Sequence, residues 1–169
     1  MFKRLQRIWR HRWTDESDLR RALPADLLER LRQRVADGEQ RHEGQVRIHA
    51  EAGLPWSYLW RDATPRERAV TLFGKLRVWD TERNNGVLVY LLLAEHAIEI
   101  VADRGLARRI DEAHWRELVQ RMGQAFREGR FEDGLALAVD DVSALLAQHF
   151  PRADQRPLAN ELPDTPTLG

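Results

Sequence analysis

The longest apolar run in the chain, Val87–Ala94 (VLVYLLLA), has no polar alternation at all. It is too short for a typical helix and reads as a central strand covered on both faces. After Glu95-His96 a second run, Ala97–Asp103, follows at once, so the pair is expected to form a hairpin with a tight turn. Upstream, Gln45–Glu51 (QVRIHAE) alternates, with Val46, Ile48 and Ala50 on one face and Gln45, Arg47, His49 and Glu51 on the other. This is the first strand.

Helical spacing governs the remainder. Residues 2–13 place Phe2, Leu5, Trp9 and Trp13 on one face and Lys3, Arg4, Arg7, Arg10 and His11 on the other. Thr14–Asp18 supplies capping residues, and Leu23-Pro24-Ala25-Asp26 opens a helix whose stripe is Leu27, Leu28, Leu31 and Val35, running to about Gln40. Residues 52–63 read as a loop carrying Trp56 and Trp60. Thr64-Pro65-Arg66-Glu67 is an N-cap with proline at the first helical position, and Ala69, Leu72, Phe73 and Leu76 continue it to near Val78. Asp111 caps a helix with Trp115, Leu118, Val119, Met122 and Phe126, and a last helix carries Phe131, Leu135, Ala138, Val142, Leu145, Leu146 and Phe150. The order α(α)–β–α–β–β–α–α implies a right-handed parallel crossover between the first two strands, with the third strand antiparallel to the second. The expected fold class is α/β, a three-layer α/β/α sandwich around a small mixed sheet. Its parts are an N-terminal basic amphipathic segment (1–20), a domain (21–151) and a proline-rich extended tail (152–169).

This topology sends distant residues to common edges. Asn85-Gly86 begins the second strand and Asp103-Arg104-Gly105 ends its antiparallel neighbour, so the two tips share one edge with the first strand's entry, Glu39 to Gln45, including His42. The opposite edge collects Glu51, Glu95 and His96. Asn and Asp beside Gly are turn formers, which accounts for either tip alone. Together, Asp103, Asn85 and Glu39 offer hard oxygen ligands suited to Ca²⁺ or Mg²⁺, and Arg104 suits a phosphate or carboxylate.

Composition narrows the chemistry. Lys+Arg and Asp+Glu are equal at 27 each, so no net charge points to nucleic acid. There is no cysteine, which excludes disulfides and thiolate catalysis, and Ser17, Ser57 and Ser143 lie in no nucleophile elbow. No run approaches the ~20 apolar residues of a membrane helix, and the N-terminus lacks the h-region of a signal peptide. The expectation is a cytoplasmic chain. Residues 1–13 hold five Lys or Arg and no acid, so an anionic membrane surface is one expected partner of residues 2–13, making the chain peripheral to the inner membrane. Glu39-x-x-His42 with Asp111-x-x-His114 has di-iron spacing but lacks the further glutamates such sites use. Trp56, Tyr58 and Trp60 are either packed on the sheet or an exposed patch for a protein partner. Asn160–Asp164 either folds back or binds as an extended peptide.

Several segments in order, His42-x-Gly44-Gln45-Val46-Arg47, Asn85-Gly86-Val87-Leu88, Glu99–Gly105, Phe126-Arg-Glu-Gly-Arg-Phe131-x-x-Gly134 and His149-Phe150-Pro151, resemble the signature segments of the TPM domain family. That family is named for a thylakoid-lumen phosphatase, a photosystem-repair protein and a receptor modulator. The resemblance covers about residues 24–151 and implies the same sandwich. It further implies that some members are acid phosphatases and some bind divalent cations, while bacterial members without an assigned reaction occur beside LemA-type membrane proteins. The positions carried over are Asn85 and Asp103, with His42 and Arg104. One departure is Gln45, where the bacterial subgroup usually has Glu. Most relatives carry a signal peptide or membrane anchor, a role left here to the basic N-terminal helix.

Two functions follow as expectations. One is a non-catalytic interaction or regulatory module, cation-responsive and membrane-peripheral, using Trp9, Trp13, Trp56, Tyr58 and Trp60. The alternative is a weak metal-dependent acid phosphatase with Asp103 as nucleophile or metal ligand.

Overall fold

The computed structural model describes residues 2–152 and 160–169. Three helices, α1 (Phe2–Trp13), α2 (Glu16–Ala22) and α3 (Ala25–Glu39), precede β1 (Gln45–Glu51). Then come α4 (Trp56–Trp60), α5 (Pro65–Lys75), β2 (Gly86–Leu92), a 3₁₀ turn (Leu93–Glu95) and β3 (Ala97–Ala102). The chain closes with α6 (Arg104–Ala107), α7 (Glu112–Arg127), α8 (Phe131–His149) and β4 (Thr167–Leu168).

The sheet order is β3-β2-β1-β4. β1 runs parallel to β2, from Gln45 opposite Gly86 to Glu51 opposite Leu92. β3 is antiparallel to β2, from Val87 opposite Ala102 to Leu92 opposite Ala97. Every residue of β2 is buried, which is why its sequence shows no alternation. Val87, Val89 and Leu91 pack into the core with α3, α7 and α8, while Leu88, Tyr90 and Leu92 face the layer built by α5. The mixed α/β sandwich expected from periodicity is the architecture observed.

Differences arise where short-range chemistry decides. Asp15 accepts from the Ser17 and Asp18 amides, and Asp18 returns a bond to the Asp15 amide, so the capping residues start a separate helix, α2. The tryptophan loop contains the short helix α4. The helix begun by the Thr64–Glu67 capping box stops at Lys75, and Arg77 then takes a left-handed φ of 55°. In the C-terminal segment β4 adds parallel to β1, with His49 opposite Thr167, and Leu162 is buried in the α5 layer. Gln45 holds that segment in place, its Oε1 accepting from the Glu161 and Leu162 amides at 3.0 Å each. The polar face of β1 is thereby buried by residues distant in sequence.

The free edge of β3 is guarded. Arg66 of α5 donates to the Ile100 carbonyl and lies 3.7 Å from the Glu99 carboxylate, above a groove of about 540 Å³ against Trp115 and Val119 of α7. A charged side chain on an outward carbonyl blunts strand addition at an open edge.

Close backbone approach fixes two glycines. A Cβ on Gly105 would run into the Asn84 carbonyl, and one on Gly86 into the Val78 carbonyl, both main-chain atoms that cannot swing away. Gly105→Ala is therefore expected to cost about 1–3 kcal/mol in urea denaturation. Gly74→Ala, inside α5 with nothing within 4 Å of the new methyl, should be neutral or stabilising by up to about 1 kcal/mol. Equal stability of the two variants would contradict the placement of the tips.

Candidate functional site

The two tips do meet. Asp103 N donates to the Gly86 carbonyl at 2.8 Å and Gly105 N to the Asn84 carbonyl at 3.0 Å. The Arg104 guanidinium donates to Asn84 Oδ1 at 3.2 and 3.3 Å, so this arginine is engaged by the opposite tip. Asp103 caps α6, Oδ1 accepting from the Arg104 amide at 2.6 Å. Asn85 is buried, with Nδ2 donating to the Glu43 carbonyl at 3.0 Å and its amide bonding Thr81 Oγ1 at 3.1 Å. Glu43 is paired in turn with Arg83. Through these bonds the edge satisfies most of its own polar groups. The exception is Asp103 Oδ2, which is buried and has no hydrogen-bond partner among the described residues.

Glu39 and His42 turn into the protein instead. His42 is fully buried and donates from Nδ1 to the Gly44 carbonyl at 3.0 Å, which leaves Nε2 as a bare acceptor. Nε2 and the equally unpartnered Ser143 hydroxyl flank Gly38, at 3.4 and 2.5 Å from where a Cβ would stand. Burial holds the His42 imidazole down to about 4, so it is neutral at pH 7. Glu39 Oε1 accepts from the Val46 amide at 3.3 Å. Burial, reinforced by the nearby Asp164 carboxylate, pushes its pKa up to about 8. Asp111 caps α7 through the Ala113 amide, and His114 is exposed. Among the described residues no group of three or more His, Cys, Asp or Glu is placed to hold a metal ion.

The opposite edge holds a cluster of which sequence reasoning placed only Glu51. Glu51 is buried and receives Arg68 Nε at 2.9 Å, a second bond from Arg68 Nη2, and the Tyr90 hydroxyl at 2.7 Å. His49 stacks on Tyr90 and bonds Thr167 Oγ1 at 2.8 Å. Burial alone would raise the Glu51 pKa, but Arg68, His49 and Tyr90 outweigh it and bring it down to about 2. Such a fully hydrogen-bonded pair ties α5 to β1 and β2. The sequence signal for Glu51's partner is Arg68, which stands four residues before Leu72 on the stripe of α5.

That edge also positions α1, and in an unexpected orientation. Arg7 Nε donates to Glu95 Oε1 at 2.7 Å, Nη1 to Asp62 at 2.7 Å and Nη2 to the Ala63 carbonyl at 2.6 Å. His11 Nε2 donates to the same Glu95 oxygen at 2.8 Å, while Nδ1 accepts from the Leu54 amide at 3.0 Å. Arg4 donates to the Trp60 carbonyl at the end of α4. The polar face of α1 is therefore the docked face. The opposite face leaves Phe2 83%, Leu5 50%, Trp9 62% and Trp13 71% exposed, beside Trp56 at 60% and Trp60 at 67%. Tyr58 does not join them. It is half-buried, bonds Thr71 at 2.9 Å and lies under the guanidinium groups of Arg61 and Arg68. Trp9 stacks on Trp13 at 5.9 Å and Trp56 tilts on Trp60 at 6.1 Å, giving two braced indole pairs.

The fold that carries these features is that of a known class of domain. Residues 17–145 match the family model of the TPM domain, and the chain belongs to that family. It is similar in structure to the BA42 protein of the psychrophilic bacterium Bizionia argentinensis, solved by NMR. The two share 25% identity and a TM-score of 0.73, over 87% of this chain and 95% of that one. The N-terminal domain of a protein from P. gingivalis has the same fold at 19% identity and a TM-score of 0.60, over 78% of this chain and 83% of the other. No match was found among curated proteins. Among the described residues no helix is long and apolar enough to cross a membrane.

The environment of Glu39 has a measurable consequence. Its pKa stands above the ordinary carboxylate value, so between about pH 4.5 and 8 the folded state holds a proton that the unfolded chain has released. This contribution is complete below pH 4.5 and is lost as pH rises through 8. Glu39→Gln keeps the acceptor for Val46 and removes the titration. The variant should exceed the parent at pH 8 by on the order of 1–3 kcal/mol and converge with it near pH 4.5, read by urea denaturation. Parallel pH profiles would show that Glu39 is solvated.

Proposed function

We propose that this TPM domain is a non-catalytic interaction module that presents the aromatic face of α1 and α4 to an anionic membrane surface. One observation carries the reading: the arginine and histidine side of α1 is bound to the domain, while Phe2, Leu5, Trp9 and Trp13 face outward beside Trp56 and Trp60. An amphipathic helix docked only for stability would bury its apolar face. An exposed apolar patch of this kind marks an interaction surface. The charge around it favours an anionic bilayer over a second copy of the chain. Arg10 and Arg12 are exposed beside the patch, residues 2–13 contain no acid, and neither arginine has an ion-pair partner among the described residues. A two-fold dimer across this face would bring two basic rims together with no acid of residues 2–13 to pair them. Tryptophan with Arg at its rim suits the headgroup level of a bilayer.

Co-sedimentation with vesicles tests the proposal. The chain should bind phosphatidylglycerol-containing vesicles, lose at least about tenfold affinity in Trp9→Ala/Trp13→Ala, and weaken as salt rises. Binding equal to the parent in that variant, or dimerisation in place of vesicle binding, would overturn it.

The unpartnered Oδ2 of Asp103 favours a second, smaller reading: one Ca²⁺ or Mg²⁺ ion held at the tip edge by Asp103 and neighbouring oxygens of Asn84 or Asn85. A metal-dependent phosphatase would build on the same oxygen. NMR titration with each cation should shift the amides of Asn85 and Asp103 saturably, an effect lost in Asp103→Asn, with p-nitrophenyl phosphate turnover assayed on the same samples. No shift would make the two tips turns alone. Turnover that Asp103→Asn abolishes would replace the module with an enzyme.

A further inference from the structure

We propose that the cleft between α1 and α4 is a discrete slot for one acyl chain of an anionic phospholipid, with the headgroup phosphate held by Arg12. The inference rests on the reading of this face as a membrane-facing surface and adds to it a site with its own selectivity. The cleft is open to solvent, has a volume of about 620 Å³ and is lined by Ile8, Trp9, Arg12, Trp13 and Trp56. That volume lies within the ~300–1,000 Å³ of small-molecule sites. The stacked Trp9 and Trp13 form one wall, and Trp56, braced by Trp60, forms the other. Ile8 lies between them and packs inward on the cluster under α5.

The two helices that carry these walls are tied in place. Arg7 and His11 fasten α1 to Glu95, and Arg4 fastens it to the last carbonyl of α4. The slot is therefore held open by polar bonds outside it, and its apolar lining stays in water until a ligand covers it. Of the lining residues only Arg12 carries a charge, and it has no ion-pair partner among the described residues. Indole walls select a hydrocarbon chain, and a lone guanidinium at the mouth selects an anion, which it binds as a charge-assisted fork. An amphiphile with an acidic head satisfies both. A choline lipid brings a phosphate whose charge its own trimethylammonium group offsets, so Arg12 gains less from it than from an acidic headgroup, and free phosphate would leave the indoles wet.

The full chain is titrated with monomeric dihexanoyl phosphatidic acid, with dihexanoyl phosphatidylcholine and with inorganic phosphate, following indole and amide NMR shifts. The acidic lipid should shift the Trp9, Trp13 and Trp56 indoles saturably, with about tenfold weaker binding of the choline lipid and no indole shift from phosphate. Arg12→Ala should erase the headgroup preference, Trp56→Ala should weaken both lipids, and Lys75→Ala, remote on α5, should change neither. Equal affinity for the two lipids, indole shifts from phosphate alone, or an unchanged preference in Arg12→Ala would overturn the slot. Vesicle binding without monomer binding would overturn the slot and leave the surface reading standing. Loss of both would overturn both.

Discussion

The parallel register of β1 on β2 is the constraint from which the other placements follow. With Gln45 opposite Gly86 and Glu51 opposite Leu92, the entry to both strands lies at one edge and their exit at the other. At the exit, the Ala94 amide bonds the Ala52 carbonyl at 2.9 Å, which brings the turn after β2 beside the turn after β1. Glu95 and the Leu54 amide then stand close enough for one imidazole, that of His11, to bond both. A helix more than 40 residues upstream is docked by a consequence of strand pairing. A one-residue slip would reverse the faces of β1 and dismantle that seat.

The seat explains why α1 docks by its polar side. Glu95 is partly buried; burial would raise its pKa, but His11 and Arg7 outweigh that cost and hold it below the usual carboxylate range. The Trp60 and Ala63 carbonyls add acceptors for Arg4 and Arg7. Hydrogen bonds to charged groups contribute about 1.5–3 kcal/mol each where partly shielded from water. Several converge here, enough to hold the helix without burying its tryptophans. Those side chains remain available for a partner, which is the link from electrostatics to proposed function.

At the entry edge the antiparallel pairing of β3 on β2 brings the Asn84–Gly86 and Asp103–Gly105 tips together, and most of their polar atoms are spent on one another. Asn84 anchors Arg104, Asn85 anchors the Glu43 carbonyl, and Asp103 caps α6. The turn chemistry of Asn, Asp and Gly thus accounts for nearly all of this edge. Only Asp103 Oδ2 exceeds what a turn requires. Gln45, in place of the glutamate usual in the bacterial subgroup that the sequence resembles, accepts the Glu161 and Leu162 amides and so holds the C-terminal segment.

The sequence by itself determined the layers: continuous burial in β2, alternation in β1, the capping boxes and the helical stripes are local patterns, read with a period of 2 or 3.6. Connectivity then placed Asn85 and Asp103 at one edge, because a β-α-β unit and a hairpin leave little freedom. Tertiary structure decided what those patterns cannot encode. The polar face of β1 reads as solvated until residues 160–168 and Arg68 cover it, since burial depends on chain that returns from far away. Glu39 and His42 share an edge with Asp103 on paper, yet their side chains point inward, because position on a strand or helix end does not fix direction. The docked face of α1 was hidden for the same reason: a helical wheel gives two faces, and only the partners at Glu95 and Trp60 determine which one meets the protein.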